Sequence, residues 1–144
     1  MTGRTLRNWM FTILVIVSAR FANAHEYYAL GFKLIHPWAE ASLPAATEAA
    51  VYFKLENVVA SDRLLRAASP YAESVELRAT QGNTSVVVAS FDVLPADVVD
   101  FAQGGQHLLL RGLKGPLEWG RSYLMTLVFD KAGPILVMVS VGAH

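Results

Sequence analysis

The 144-residue chain contains no cysteine and only four methionines. Without cysteine there can be no disulfide, thiolate metal site, iron–sulfur cluster, thiol nucleophile or cysteine-borne lipid anchor within these residues. Thioether sulfur and imidazole nitrogen remain as donors for a soft metal ion. There is no surplus of charge either: twelve basic and twelve acidic residues cancel. Nucleic-acid binders normally carry a basic surplus or stripe, so no nucleic-acid partner is expected. Internal repeats, low-complexity tracts and long linkers are also missing. No Ser-His-Asp spacing, phosphate-cradling glycine loop or HExxH element occurs, so the chain is not expected to be an enzyme. Asp92, Asp97 and Asp100 read as a solvated face rather than as acid–base machinery. What the chain does have is apolar mass: 53% of residues are hydrophobic and 17% charged. A packed core is expected rather than disorder. The length suits one domain.

The first segment reads as separate from that domain. Arg4 and Arg7 precede an apolar stretch from Trp9 to Val17, and Ala22-Asn23-Ala24 follows. This is the order of a secretory signal peptide. The apolar stretch is shorter than the roughly 20 residues a membrane-spanning helix needs. The expected division is a cleaved leader at 1–24 and an exported domain, periplasmic or beyond, at 25–144, with no membrane span after cleavage. Removing Arg4, Arg7 and Arg20 leaves nine basic residues against twelve acidic ones, a formal charge of −3. Met1 and Met10 go with the leader, leaving Met125 and Met138. An exported domain without disulfides must be held by its core alone.

Strand signals run through this domain. Val51, Phe53 and Leu55 alternate with polar neighbours, and Val75 and Leu77 do the same. Gly82-Asn83, between 74–78 and Ser85–Val88, reads as a hairpin turn. Phe91 and Val93, then Val98 to Phe101, His107 to Leu113, Tyr123 to Phe129 and Ile135 to Val141 give further short strands. Turn residues separate them, as in a β-sandwich or barrel. Ala45–Ala50 is a weak helix candidate behind Leu43-Pro44. Met125 and Met138 fall in apolar strand patterns and read as core.

A series of segments carries a resemblance. In order they are His25-Glu26-Tyr27, His36-Pro37-Trp38-Ala39, Asp62-Arg63-Leu64 and Ser69 to Leu77. Gly104 to Leu117 and Leu127 to Gly133 complete the series. Together they resemble the periplasmic copper chaperones of the PCu(A)C family, which supply the copper A centre of cytochrome c oxidase. The resemblance implies an all-β, cupredoxin-like Greek-key β-sandwich and a carrier of copper; a monomer is expected. It also implies a copper-acceptor partner such as an oxidase subunit. Pro37 is expected to fix the backbone before a strand, Trp38 to plug the core, and His36 to be structural.

The family holds copper(I) with His, ten residues, Met, twenty-one residues, His, one residue and Met. Here the Val75-Glu76-Leu77 anchor places Arg78 at the first His position. Counting back from His107 places Ser85 at the first Met, and Leu109 stands at the second. His107 alone is kept. Thr80 and Arg111 occupy places where further methionines are common. A three-thioether cup for copper(I) is therefore degraded.

Three readings follow. One is a copper carrier by family, with this degraded site. The second is a non-metal binding or accessory module. Its Arg78 and Arg111 would contact a partner or anion through forked hydrogen bonds, unless each pairs with a surface acid such as Asp92, Asp97 or Asp100. The third is copper(II) binding: cleavage would free the His25 α-amine to chelate together with its imidazole, and His107 would add a nitrogen. His144 is a further loose imidazole.

Overall fold

A computed structural model describes residues 26–142. The expected leader, His25 and His144 lie outside the described residues. Every regular element is a β-strand: β1 (Glu26–Ala29), β2 (Phe32–Ala39), β3 (Glu48–Val58), β4 (Asp62–Ala68), β5 (Ala72–Gln81), β6 (Thr84–Val88), β7 (Phe91–Val93), β8 (Ala96–Phe101), β9 (His107–Leu113), β10 (Ser122–Phe129) and β11 (Gly133–Val141). Among the described residues no helix is long and apolar enough to cross a membrane. The all-β expectation holds. The helix candidate at Ala45–Ala50 does not: a turn at Pro44-Ala45 leads into β3 at Glu48, which pairs with β9.

Alternation builds the core. Val51, Phe53 and Leu55 of β3 are buried, as are Tyr123, Met125, Leu127 and Phe129 of β10 and Val137, Val139 and Val141 of β11. Leu77, Leu108 and Leu110 close the same apolar cluster from β5 and β9. Phe101 stacks on Phe53 at 4.2 Å and meets Phe91 edge-on at 5.3 Å. Paired strands run in the order β6-β5-β9-β3-β2-β11-β10-β4-β7. β3 is the hinge of this order. Its first half pairs with β9, and its second half pairs with β8 on the same edge. The Gly82-Asn83 turn closes β5 onto β6 with Gln81 opposite Thr84, and Gly82 takes the φ of +60° that glycine tolerates.

Three expectations need correction. Pro37 lies inside β2 rather than before a strand. The register slips between Ile35 and Trp38, and His36 absorbs the extra residue at a φ of +58°. A bulge relaxes the ladder locally, so proline's missing N–H is tolerated there. The slip also reverses which residues face inward. Phe32 and Leu34 are buried before it, Pro37 and Ala39 after it. Trp38 is consequently turned outward against Tyr52, ring to ring at 4.9 Å, and does not plug the core. Met138 is half-buried beside the inward Val137 and Val139, so only Met125 is a core methionine.

Asp62 explains two of the family-like segments. It is the one buried charged residue among those described. Its Oδ1 accepts from the backbone N–H of Lys131 at 2.8 Å and of Arg63 at 2.7 Å. Its Oδ2 accepts from Ala132 N–H at 3.0 Å. Desolvation pushes the carboxyl pKa up, but the three backbone donors outweigh it and hold the pKa below the ordinary value. Asp62-Arg63-Leu64 and the Asp130–Gly133 turn are thus parts of one joint.

Candidate metal centre

Directly opposed residues of neighbouring strands point to the same face. On β5 and β9 the pairs are Arg78 with His107, Glu76 with Leu109 and Ser74 with Arg111. On β9 and β3 they are Leu109 with Ala50 and Arg111 with Glu48. The intervening Val51, Leu77, Leu108 and Leu110 are buried, so all of these face outward. One row crosses the molecule: Trp38, Tyr52, His107, Arg78 and Val87. The Tyr52 and His107 rings lie 6.1 Å apart. Burial first, then the Glu40 charge, pushes the Tyr52 hydroxyl pKa up against the hydrogen bond from Gln103.

Arg78, Ser85, His107 and Leu109 come together on this face. Arg78 Nη1 lies 3.3 Å from the Ser85 carbonyl and 3.5 Å from its hydroxyl. The main charge contact of Arg78 is Glu76. Nε and Nη2 both donate to Glu76 Oε2, at 2.9 and 2.7 Å. Arg111 Nη1 sits 3.4 Å from the other oxygen of Glu76 and 3.2 Å from Glu48 Oε1. The result is an alternating ladder, Glu48–Arg111–Glu76–Arg78, with no net charge. A guanidinium has no lone pair to give a metal, and leucine and serine supply no soft donor. The residues at these positions do not fit copper(I).

The acids that pair the two arginines are Glu76 and Glu48. Asp92 pairs instead with Arg63 at 2.9 Å, and Asp97 and Asp100 belong to β8, which pairs with β3. Period-two alternation sets Glu76 on the face of Arg78 and could have revealed that pair. Glu48 reaches Arg111 only through the β3–β9 register, for which the sequence has no local signal.

His107 is held from behind. Its Nδ1 lies 2.8 Å from the Gly105 carbonyl oxygen, which also accepts the Thr80 hydroxyl at 3.1 Å. The loop carrying Gly105 is tied down by Gly105 N–H to Ala102 O and by Gln103 Nε2 to Glu40 Oε1. Among the described residues no group of three or more His, Asp and Glu side chains is arranged to hold a metal. Met125 and Met138, on β10 and β11, are separated from β9 by β3 and β2. β1 begins at Glu26, opposite Ile35, so β2 and β3 also lie between it and β9.

The described residues form an all-β fold whose outward face carries the His107–Arg78 row. A family model described as "Putative lipoprotein LpqE-like" matches residues 32–141. The chain belongs to this LpqE-like, PCuAC-type family. Among solved structures it is similar to a copper-bound PCuAC domain from PmoF2, with 30% identity and a TM-score of 0.72 over 83% of this chain and 99% of that one. It is also similar to an apo PCuAC domain from PmoF1, with 27% identity and a TM-score of 0.73 over 83% and 100%. The copper(I) form of DR1885 from Deinococcus radiodurans shares the fold, with 24% identity and a TM-score of 0.62 over 85% and 84%. No curated protein sequence matches significantly.

Proposed function

We propose that this chain is an exported copper-handling protein, a carrier and not an enzyme, that works without the family's copper(I) cup. The carrying observation is the donor set on the motif face. Arg78 spans the first His and first Met positions, Leu109 fills the second Met, and His107 alone keeps a ligating nitrogen. A copper function then needs nitrogen donors. Cleavage after Ala24 would supply two at once, the α-amine and imidazole of His25, and His107 would supply a third. Such a site selects copper(II) over copper(I). The reading requires the His25 donors to reach His107 past β2 and β3, which separate β1 from β9. Similarity to a copper-bound PCuAC domain along 99% of its length supports it. The recipient in this reading is a copper-accepting protein such as an oxidase subunit.

The test is copper(II) titration of the protein starting at His25, beside a form with one extra residue ahead of His25 and a His107→Ala variant. Tight binding by the first, lost in the other two, is the expected result. Equal binding by all three overturns the reading.

The second reading is an accessory module that binds a partner or anion through Arg78 and Arg111. The ladder weighs against it, because Glu76 and Glu48 already take up both guanidiniums.

A further inference from the structure

The Gly105 carbonyl has a consequence for His107 that the motif does not contain. A carbonyl oxygen only accepts, so the 2.8 Å contact requires the proton of the neutral ring to sit on Nδ1. Nε2 then carries the lone pair. The carbonyl itself is aimed by a second donor, the Thr80 hydroxyl, from the end of β5. The Ala102–Gly105 turn and the tether from Gln106 Nε2 to Asp100 O fix the loop from the other side.

We propose that Thr80 is a positioning residue, which through Gly105 O locks His107 in the Nδ1–H tautomer and presents Nε2 as its donor atom. The inference rests on the copper reading for its use and on the hydrogen bonds alone for its truth. Donation of the second ring N–H to a carbonyl is how metal-binding histidines are generally oriented. Thr80 stands where the family commonly adds a thioether. The ring keeps its lone pair on the side away from Gly105, while Arg78 beside it is drawn off by Glu76.

The test uses the protein labelled with nitrogen-15 in histidine, at a pH well above the imidazole range, with His107→Gln to assign its signals. Long-range proton–nitrogen correlations report which ring nitrogen is protonated. The wild type is expected to show His107 protonated at Nδ1. Thr80→Val, which keeps the shape and removes the hydroxyl, is expected to shift the ring toward the Nε2–H form, and Thr80→Ser to restore the wild-type pattern. Copper(II) affinity in the same samples is expected to fall about tenfold in Thr80→Val, the low end for outer-sphere partners, because water reaches this exposed position. A wild-type His107 protonated at Nε2, or a Thr80→Val tautomer identical to wild type, overturns the inference. If the tautomer moves in a protein that binds no copper(II), the inference stands and the copper reading fails.

Discussion

Arg78 stands directly opposite His107 across the β5–β9 ladder, and its guanidinium turns away from the ring to Glu76 and Ser85. A tethered cation thus spans the ground between β5 and Ser85 of β6. It needs no metal to complete it, because Glu76 already supplies the negative charge. The same carboxylate shares its second oxygen with Arg111, so Glu76 is the centre of the ladder.

Glu76→Gln is therefore expected to leave Arg78 without its counter-charge beside Arg111, which keeps only Glu48. The half-buried setting puts the cost at about 1–2 kcal/mol. Urea unfolding at two salt concentrations checks it. The loss should be larger at low salt, where the repulsion is less screened.

If the four motif positions share one face, they can be refilled. The triple variant Arg78→His, Ser85→Met and Leu109→Met is expected to gain tight copper(I) binding that the parent lacks, measured by competition with a copper(I) chelator. The β5–β6 hairpin puts six residues between Arg78 and Ser85 where the family pattern has ten. Arg78 Nη1 nevertheless reaches the Ser85 hydroxyl at 3.5 Å. A triple variant that stays folded and binds no copper(I) would show that the positions do not converge as described.

Neither Met125 nor Met138 lies on the face of His107. Met125→Leu and Met138→Leu are each expected to leave copper affinity unchanged. As volume-conserving swaps they should cost less than about 1.5 kcal/mol. Loss of copper binding in either would relocate the centre to the β10–β11 sheet.

Asp62 makes the fold acid-sensitive with a definite sign. Its folded-state pKa lies below the ordinary 3.8. Its contribution is therefore complete above that ordinary value and fades as pH falls through the lower folded-state value. Asp62→Asn should cost about 2 kcal/mol at neutral pH, since the donors of Lys131, Arg63 and Ala132 lose the charged acceptor. The variant's stability should also lose the share of its acid dependence that Asp62 contributes. Denaturant midpoints between neutral pH and pH 3 measure both effects.

The fold was legible wherever alternation is clean. Val51, Phe53 and Leu55 announce β3, and Gly82-Asn83 announces the hairpin. β2 was not, because the bulge at His36 inverts its inward face halfway and breaks the period that a sequence reading uses. The weak helix signal at Ala45–Ala50 gave way to pairing with β9, a contact across about sixty residues of chain that local propensity does not register. At the site, counting along the chain picks out Arg78, Ser85, His107 and Leu109, and the structure sets these four on one face. The contacts around them could not be read this way, since Glu48 meets Arg111 and Thr80 meets Gly105 only once strands from distant parts of the chain are in register.

The most direct measurement of the central claim is a copper(I) competition titration on the protein starting at His25. An ordinary copper(I) chelator is expected to retain the metal, because Arg78, Ser85 and Leu109 provide no soft donor. Tight, stoichiometric copper(I) uptake by the unaltered protein would contradict the claim.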